Sequence, residues 1–219
     1  MNLSFDNIPK PVVQKHLYGS ARKAVGEVTP GYSVFAFNKG EYGITDVITE
    51  IVRQIGPCHA DLCTWTAAKR DISYMYQFVH SGLFTSTRWL VDRSFLSRQP
   101  EMFAHLCETY GSEFVRITRT HAKFIILRNE SFNICIRTSM NLNRNARLEN
   151  WEATDSVEMA SFFSGVVDAI FDAQVMQCWD HGTEHESQFT NLVLVDGDWV
   201  VSGSRAKKGR VKSTEPLLL

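Results

Sequence analysis

The feature of the sequence that most constrains its fold is a regular alternation of short apolar runs and amphipathic helical segments. Residues 32–37 (YSVFAF) are typical of a strand, and residues 44–55 repeat apolar side chains at the i, i+3, i+4 and i+7 spacing of a helix face. The same reasoning predicts strands at 61–66, 87–92, 114–127, 132–138 and 151–154, and helices at 71–82, 100–110 and 158–174. We therefore predict an α/β fold, a mixed β-sheet flanked by helices.

The length of 219 residues and the hydrophobic content of 44% suit one compact domain with terminal additions. Residues 1–31 hold three of the six prolines and are predicted to form an irregular arm with one short helix near 14–25. The main domain is predicted over 32–190. Residues 191–219 are predicted to form a hairpin that turns at Asp196 and Gly197, followed by a basic tail. That tail is either a solvated end or a nucleic-acid contact.

The overall charge does not identify a binding partner, whereas the cysteine content indicates a cellular compartment. The chain has 23 Lys and Arg against 24 Asp and Glu, so any surface for a polyanion must be local. Five scattered cysteines make a poor disulfide framework and are typical of reduced thiols in a cytoplasmic protein. Since the sequence contains no apolar run of about 18 residues, we predict no membrane span.

The chemistry is concentrated in residues 120–152, THAKFIILRNESFNICIRTSMNLNRNARLENWE. In an extended strand, side chains two positions apart share a face, so we expect His121 and Lys123 to project together. Ser139 and Asn141 would do the same on a neighbouring strand. Lysine and asparagine donate hydrogen bonds to phosphate oxygens, and histidine can attack or transfer a proton. The set is typical of a site for a phosphate-bearing anion.

This stretch resembles the motif of the phospholipase D superfamily, H-x-K-x4-D followed by G-S-x-N and a later Glu. The matching residues are His121, Lys123, Ser139, Asn141 and Glu152. The order of strands and helices over residues 32–174 is also similar to the family's single domain. The sequence departs from the motif at two positions, because Arg128 stands at the Asp position and Thr138 stands at the Gly position.

The resemblance implies a two-step phosphoryl transfer that needs no metal or other cofactor. His121 would attack phosphorus and form a phosphohistidine, while Lys123, Ser139 and Asn141 would line the site and Glu152 would orient His121. A second histidine is required to protonate the leaving oxygen. Since the chain has one motif, the resemblance implies a homodimer that brings two copies of His121 together.

A local basic surface favours nucleic acid as the substrate, with DNA favoured over RNA. Residues 111–150 carry seven Lys and Arg against three Glu. The predicted substrate-binding residues are Arg116, Arg119, Arg137, Arg144 and Arg147. Two alternatives stay open. One is an inactive nucleic-acid-binding protein, which the Arg128 departure suggests; the other is a phospholipase, which the single motif and the absence of an apolar membrane segment disfavour.

A Cys/His pattern and a set of aromatic residues are each interpreted as structural and not functional. Cys178, His181 and His185 have metal-like spacing but no evident fourth ligand nearby, so we predict a polar loop there and no metal site. Several aromatic residues lie inside predicted regular elements, where they are typical of core. They are Trp65, Tyr74, Tyr76, Phe78 and Trp89.

Overall fold

The computed structural model describes residues 12–13, 19–174, 191–195 and 198–202. Its strands are β1 (Val12–Val13), β2 (Ser33–Asn38), β3 (Cys58–Thr64), β4 (Phe84–Asp92), β5 (Val115–Thr118), β6 (Phe124–Arg128), β7 (Asn133–Thr138), β8 (Glu149–Asp155), β9 (Asn191–Val195) and β10 (Asp198–Ser202). Its helices are α1 (Ala21–Val25), α2 (Ile44–Ile55), α3 (Lys69–His80), α4 (Arg93–Arg98), α5 (Pro100–Tyr110) and α6 (Val157–Ala173), with a 3-10 turn at Ser112–Phe114.

Eight strands form one mixed sheet in the order β1-β2-β8-β7-β6-β3-β4-β5. Strands β3, β4 and β5 run parallel to one another, as do β1 and β2, whereas the pairs β3–β6, β6–β7, β7–β8 and β8–β2 are antiparallel. The predicted α/β fold with a mixed, helix-flanked sheet is confirmed. The predicted C-terminal hairpin is also present, since β9 and β10 pair with Val195 opposite Asp198.

The central strands are apolar on both faces because helices cover both sides of the sheet. Ile125 of β6 joins the larger core, which includes Ile48 of α2 and Met75 of α3. Its neighbour Ile126 points the other way and joins a smaller core with Val167 of α6. Each such side chain, when fully buried, contributes about 1.5–3 kcal/mol to stability, so β6 is strongly fixed in register.

The predicted strand over 114–127 is wrong in one respect, because the structure divides it into β5 and β6. Strand β5 pairs with β4 at the sheet edge, whereas β6 pairs with β3 in the middle, so the chain must leave the sheet between them. The backbone N–H of Thr120 donates to Asp92 Oδ2 at 2.9 Å instead of joining a ladder. His121 and Lys123 therefore lie in the loop that leads into β6, not inside a strand.

Part of the predicted N-terminal arm contributes to the folded body. β1 pairs in parallel with β2, and Ala24 and Val25 of α1 are buried in the larger core. The hydroxyl of Tyr32 donates to the carbonyl of Val25 at 2.7 Å, which joins α1 to the start of β2. The domain boundaries at 31 and 190 stay predictions.

Among the residues that the structure describes, no helix is both long and apolar enough to cross a membrane. The cysteines at 58, 63, 107 and 135 are free thiols. The described part of the chain contains no cluster of three or more His, Cys, Asp or Glu side chains arranged to hold a metal ion. The Cys178, His181 and His185 pattern and the basic run at 205–212 lie outside the described residues.

Candidate active site

The motif residues gather where several strands meet one edge of the sheet, which we call the carboxyl edge. β3 and β4 end there, and because their partners are antiparallel, β6 begins there, β7 ends there and β8 begins there. The loops at these strand ends carry His121, Lys123, Ser139 and Asn141, and Glu149 is the first residue of β8. The sheet topology therefore brings together residues that are up to 28 positions apart in the sequence.

His121 is presented on a loop whose backbone is held at several points. Asp92, the last residue of β4, accepts from Thr120 N–H at 2.9 Å and also caps α4 by accepting from Ser94 N–H at 2.8 Å. The hydroxyl of Thr120 accepts from Ala122 N–H at 3.0 Å. His121 itself is exposed at the tip of this loop. A reactive side chain on a restrained backbone loses little entropy when it meets its substrate.

Lys123 is buried beside the imidazole of His121. Its Nζ donates to the His121 carbonyl at 2.7 Å and lies 3.1 Å from His121 Nδ1. Burial lowers the pKa of Lys123, and the nearby negative charges, chiefly that of Glu149, act in the opposite direction. The ammonium and the imidazole are thus close enough to contact the same phosphoryl group.

The loop after β7 adds a hydroxyl, an amide and an unanticipated carboxylate. Ser139 Oγ is hydrogen-bonded to the carboxylate of Glu149 and accepts from Asn150 N–H at 3.0 Å. Asn141 Oδ1 is buried and accepts no hydrogen bond from any described residue. The loop is anchored next to β3 by a hydrogen bond of 2.8 Å from Ala68 N–H to the Leu142 carbonyl. Ser139 and Asn141 therefore border the same edge as His121.

Glu152, the acid that the motif predicts, forms no hydrogen bond or ion pair with His121 among the described residues. It lies opposite Arg137 on β7, which in turn lies opposite Phe124 on β6, and paired residues of adjacent strands share a face. Lys123 precedes Phe124, and its carbonyl accepts from Thr138 N–H at 3.1 Å, next to the Phe124–Arg137 pair. Glu152 instead forms an ion pair of 2.7 Å with Arg137. Glu149, three residues earlier, has the opposite strand parity and is the carboxylate at the carboxyl edge.

Trp65 is a second residue at this edge that sequence reasoning did not assign to the site. Its ring centroid lies 5.3 Å from that of His121, and the Arg98 guanidinium lies 3.8 Å above the Trp65 ring. Trp65 is half-buried, whereas Trp89 and Phe78 are buried as predicted. Its position directly after β3, at the edge where β4 also ends, is the signal that could have identified it.

The five predicted substrate-binding arginines divide into two groups. Arg116 and Arg144 donate to backbone carbonyls, and Arg137 pairs with Glu152. Arg119 and Arg147 are exposed, in the loops on either side of the motif residues. Substrate binding by the five arginines stays a prediction. Arg128, at the motif's Asp position, lies at the far end of β6, with Nη2 4.0 Å from Asp61 Oδ2 on β3.

No protein-family model and no curated protein matches this chain. Several solved structures resemble it. NucT from Helicobacter pylori has 12% identity and a TM-score of 0.44, over 63% of this chain and 97% of NucT. Phosphatidylserine synthase from Haemophilus influenzae has 15% identity and a TM-score of 0.46, over 65% of this chain and 38% of that enzyme.

A third similar structure is polyphosphate kinase from Porphyromonas gingivalis, with 13% identity and a TM-score of 0.45, over 78% of this chain and 30% of the kinase. All three proteins belong to the phospholipase D superfamily, which the motif residues of this chain also resemble.

Proposed function

We propose that the carboxyl edge is one half of a metal-independent phosphodiesterase site that cleaves nucleic acid, with DNA favoured over RNA. The observation that carries this proposal is the placement of Lys123 Nζ 3.1 Å from His121 Nδ1, on a loop held by Asp92. A nucleophile and a buried cation side by side are the minimum that phosphoryl transfer through histidine requires.

In the proposed reaction, a ring nitrogen of His121 bonds to phosphorus as the bond from phosphorus to the leaving oxygen breaks. His121 of the partner subunit gives its proton to that oxygen. It then takes a proton from water, which attacks the phosphohistidine and frees the product. Lys123 and the amide of Asn141 stabilise the charge on the phosphoryl oxygens. Glu149, through Ser139, fixes the wall of the site and offsets part of the charge of Lys123.

Completion of the site by a second copy is supported by apolar surface at the same edge. Leu148 is 64% exposed and Phe37 is 47% exposed, and they flank the paired positions Asn38 and Glu149. The segment carrying Leu148 is packed on the β2–α2 loop, where Gly40 has a φ of 86° and an added Cβ would come within 2.7 Å of the Asn145 carbonyl oxygen. These side chains offer a rigid apolar contact for a homodimer.

The aromatic group beside His121 favours nucleic acid over lipid. A base next to the cleaved phosphate can stack on Trp65, and Arg98, Arg119 and Arg147 can contact the flanking phosphates. The phospholipase alternative gains no such support from Trp65 and Arg98. The inactive alternative was suggested by Arg128 at the motif's Asp position. Because Arg128 lies near the buried carboxylate of Asp61, its presence has a structural reason that does not require loss of catalysis.

The decisive experiment presents the full chain with labelled single-stranded DNA, duplex DNA, RNA, bis(p-nitrophenyl) phosphate and phosphatidylcholine vesicles, all in excess EDTA. We expect cleavage of DNA and of the small diester, and none by His121→Ala. His80→Ala, an exposed histidine at the end of α3, is the matched control and should behave as wild type. Cleavage that survives in His121→Ala would contradict the proposal, and tight DNA binding without any cleavage would favour the binding-protein alternative.

A further inference from the structure

The opposite edge of the sheet, where β3, β4 and β5 begin, carries a row of polar residues that the proposed function does not use. We call it the amino edge. His59 of β3 lies opposite Ser86 of β4 on one side and opposite Arg128 of β6 on the other. Paired residues share a face, so the three side chains form a line across three adjacent strands. This line is about 20 Å from Trp65, six residues away along the strand direction.

Hydrogen bonds connect this row into a chain that runs from the surface to the core. The hydroxyl of exposed Ser86 is hydrogen-bonded to His59 Nδ1, and His59 Nε2 lies 2.8 Å from Asp61 Oδ1. The His59 side chain is 23% exposed and that of Asp61 is 0% exposed. With the proton on Nε2, the ring donates to Asp61 and accepts from Ser86, which is the tautomer that a general base needs.

Asp61 is fixed and ionised, so it can only hold the imidazole in this orientation. Arg88 donates to both of its oxygens, at 2.7 Å through Nε and 3.0 Å through Nη2. Burial alone would raise the pKa of Asp61, but the hydrogen bonds from His59 and Arg88 outweigh burial and lower it. Arg88 also donates to Asp168 at 2.7 Å, so each of its hydrogen-bonding nitrogens is occupied.

Ser86, His59 and Arg128 open onto a cavity of about 470 Å³. Phe114 and Phe171 form apolar parts of its wall. Arg128 contacts Asp61 only at 4.0 Å and its side chain is 33% exposed, so its guanidinium has donors to spare. The cavity therefore combines an apolar wall for an organic group with the serine hydroxyl and the guanidinium of Arg128. A volume of this size suits a small molecule.

We propose that Ser86, His59 and Asp61 form a second catalytic site, which hydrolyses carboxylic esters of small apolar or aromatic alcohols. Ser86 Oγ bonds to the acyl carbon as its proton passes to His59 Nδ1. Collapse of the tetrahedral adduct breaks the bond to the alkoxide, which takes that proton from His59. Water then repeats the sequence and releases the acid, restoring Ser86. Arg128 stabilises the oxyanion.

This assignment also accounts for the residue found at the motif's Asp position. An acid at 128, opposite His59, would lie on the same face of the sheet as the buried carboxylate of Asp61 and would repel both that carboxylate and the developing oxyanion. Arginine at this position offsets the charge of the Asp61 carboxylate and attracts the oxyanion. The proposal is independent of His121, so it stands or fails separately from the phosphodiesterase.

The test uses the full chain with p-nitrophenyl acetate and with a fluorophosphonate probe, followed by mass spectrometry of the labelled peptide. We expect the probe on Ser86, and a loss of about a hundredfold or more in acetate hydrolysis for Ser86→Ala and for His59→Gln. Thr85→Ala, which removes an exposed hydroxyl next to Ser86 in the sequence, is the matched control and should keep both signals.

Three results would overturn the proposal. They are a wild-type chain in which Ser86 is unlabelled, a His59→Gln variant labelled on Ser86 as fast as wild type, and a Thr85→Ala variant that slows hydrolysis as much as Ser86→Ala. Ser86 and His59 are not part of the apolar core, and a circular dichroism spectrum matching wild type will show that both variants are folded.

Discussion

The two edges of the sheet position their functional groups in different ways. At the carboxyl edge, His121 and Trp65 stand on loops beyond the strand ends and are partly or fully exposed, which leaves room for a polymer. At the amino edge, His59, Ser86 and Arg128 stand within paired strands, and the sheet register itself sets their spacing. The geometry of the carboxyl edge depends on loop anchors such as Asp92, whereas that of the amino edge depends on the backbone hydrogen bonds between β3 and its neighbours β4 and β6. Substitutions should therefore affect the two edges separately.

The largest expected effect separates the chemistry of the two edges. His121→Ala should reduce phosphodiester cleavage by about a thousandfold or more, because it removes the nucleophile. His121→Asn, which keeps some hydrogen bonding, should be equally inactive. Wild-type protein quenched in base during turnover of the diester should carry a phosphoryl adduct on His121 that retains the second ester group, and neither variant should. Loss of acetate hydrolysis in His121→Ala would break the separation between the edges.

The amino edge is predicted to matter most for stability, through the buried carboxylate. Asp61→Asn should lower the free energy of unfolding by about 3–5 kcal/mol, because it removes the buried charged partner of Arg88. Since the pKa of folded Asp61 is lowered, its contribution is present above the unfolded pKa of about 3.9 and is lost as pH falls through the folded pKa. Urea unfolding between pH 7 and pH 3 measures both effects.

In that experiment the variant should show a shallower loss of stability with acid than wild type. Asp168→Asn is the matched control, because Asp168 also pairs with Arg88 but is 54% exposed. Its effect should stay below about 1 kcal/mol. Equal losses for the two variants would mean that burial does not distinguish the two carboxylates.

Lys123→Ala tests whether the buried cation acts in the chemistry. Loss of a donor to developing phosphoryl charge typically costs about 2.7–4 kcal/mol, which is about a hundredfold to a thousandfold in rate. The loss should appear in kcat with little change in KM, measured with bis(p-nitrophenyl) phosphate. Arg119→Ala, in the same loop but exposed, should instead raise KM for DNA and leave the small diester unaffected. A pure KM effect for Lys123→Ala would assign it to binding alone.

The smallest expected effect distinguishes Glu149 from Glu152 as the acid that supports the site. Glu149→Gln should slow cleavage by about tenfold to a hundredfold, the equivalent of one charged hydrogen bond of about 1.5–3 kcal/mol. Glu152→Gln should change cleavage less, because its partner Arg137 lies on the other face of the sheet. The reverse order would restore Glu152 to the role that the motif spacing predicts.

Local sequence patterns predicted the helices and strands well, because the periodicity of apolar residues depends only on residues that are close together in the sequence. Helices α2 and α5 match the predicted bounds of 44–55 and 100–110, since apolar spacing and Gly or Pro ends define them. The division between β5 and β6 could not be predicted, because it depends on Asp92, 28 residues away from Thr120. The motif located His121 and Lys123 without knowledge of that contact.

Contacts set by strand register were beyond the sequence. Motif spacing selected Glu152, but the register of β8 with β7 and β2 decides which face each acid occupies, and Glu149 lies at the carboxyl edge beside Ser139. The same limit applies to the amino edge. His59 and Ser86 are 27 positions apart, and only the β3–β4 ladder brings them into line.

Strand β3 contributes residues to both edges, so a single mutation in this strand can affect both sites. His59 and Asp61 lie near its beginning, and Trp65 follows its last residue. Because successive side chains alternate between faces, deletion or insertion of a single codon in this segment would turn the residues on one side of the lesion to the wrong face. One such event would damage both sites at once. A lineage can therefore discard either activity by point substitution, whereas a frame-preserving length change in β3 would remove the two together.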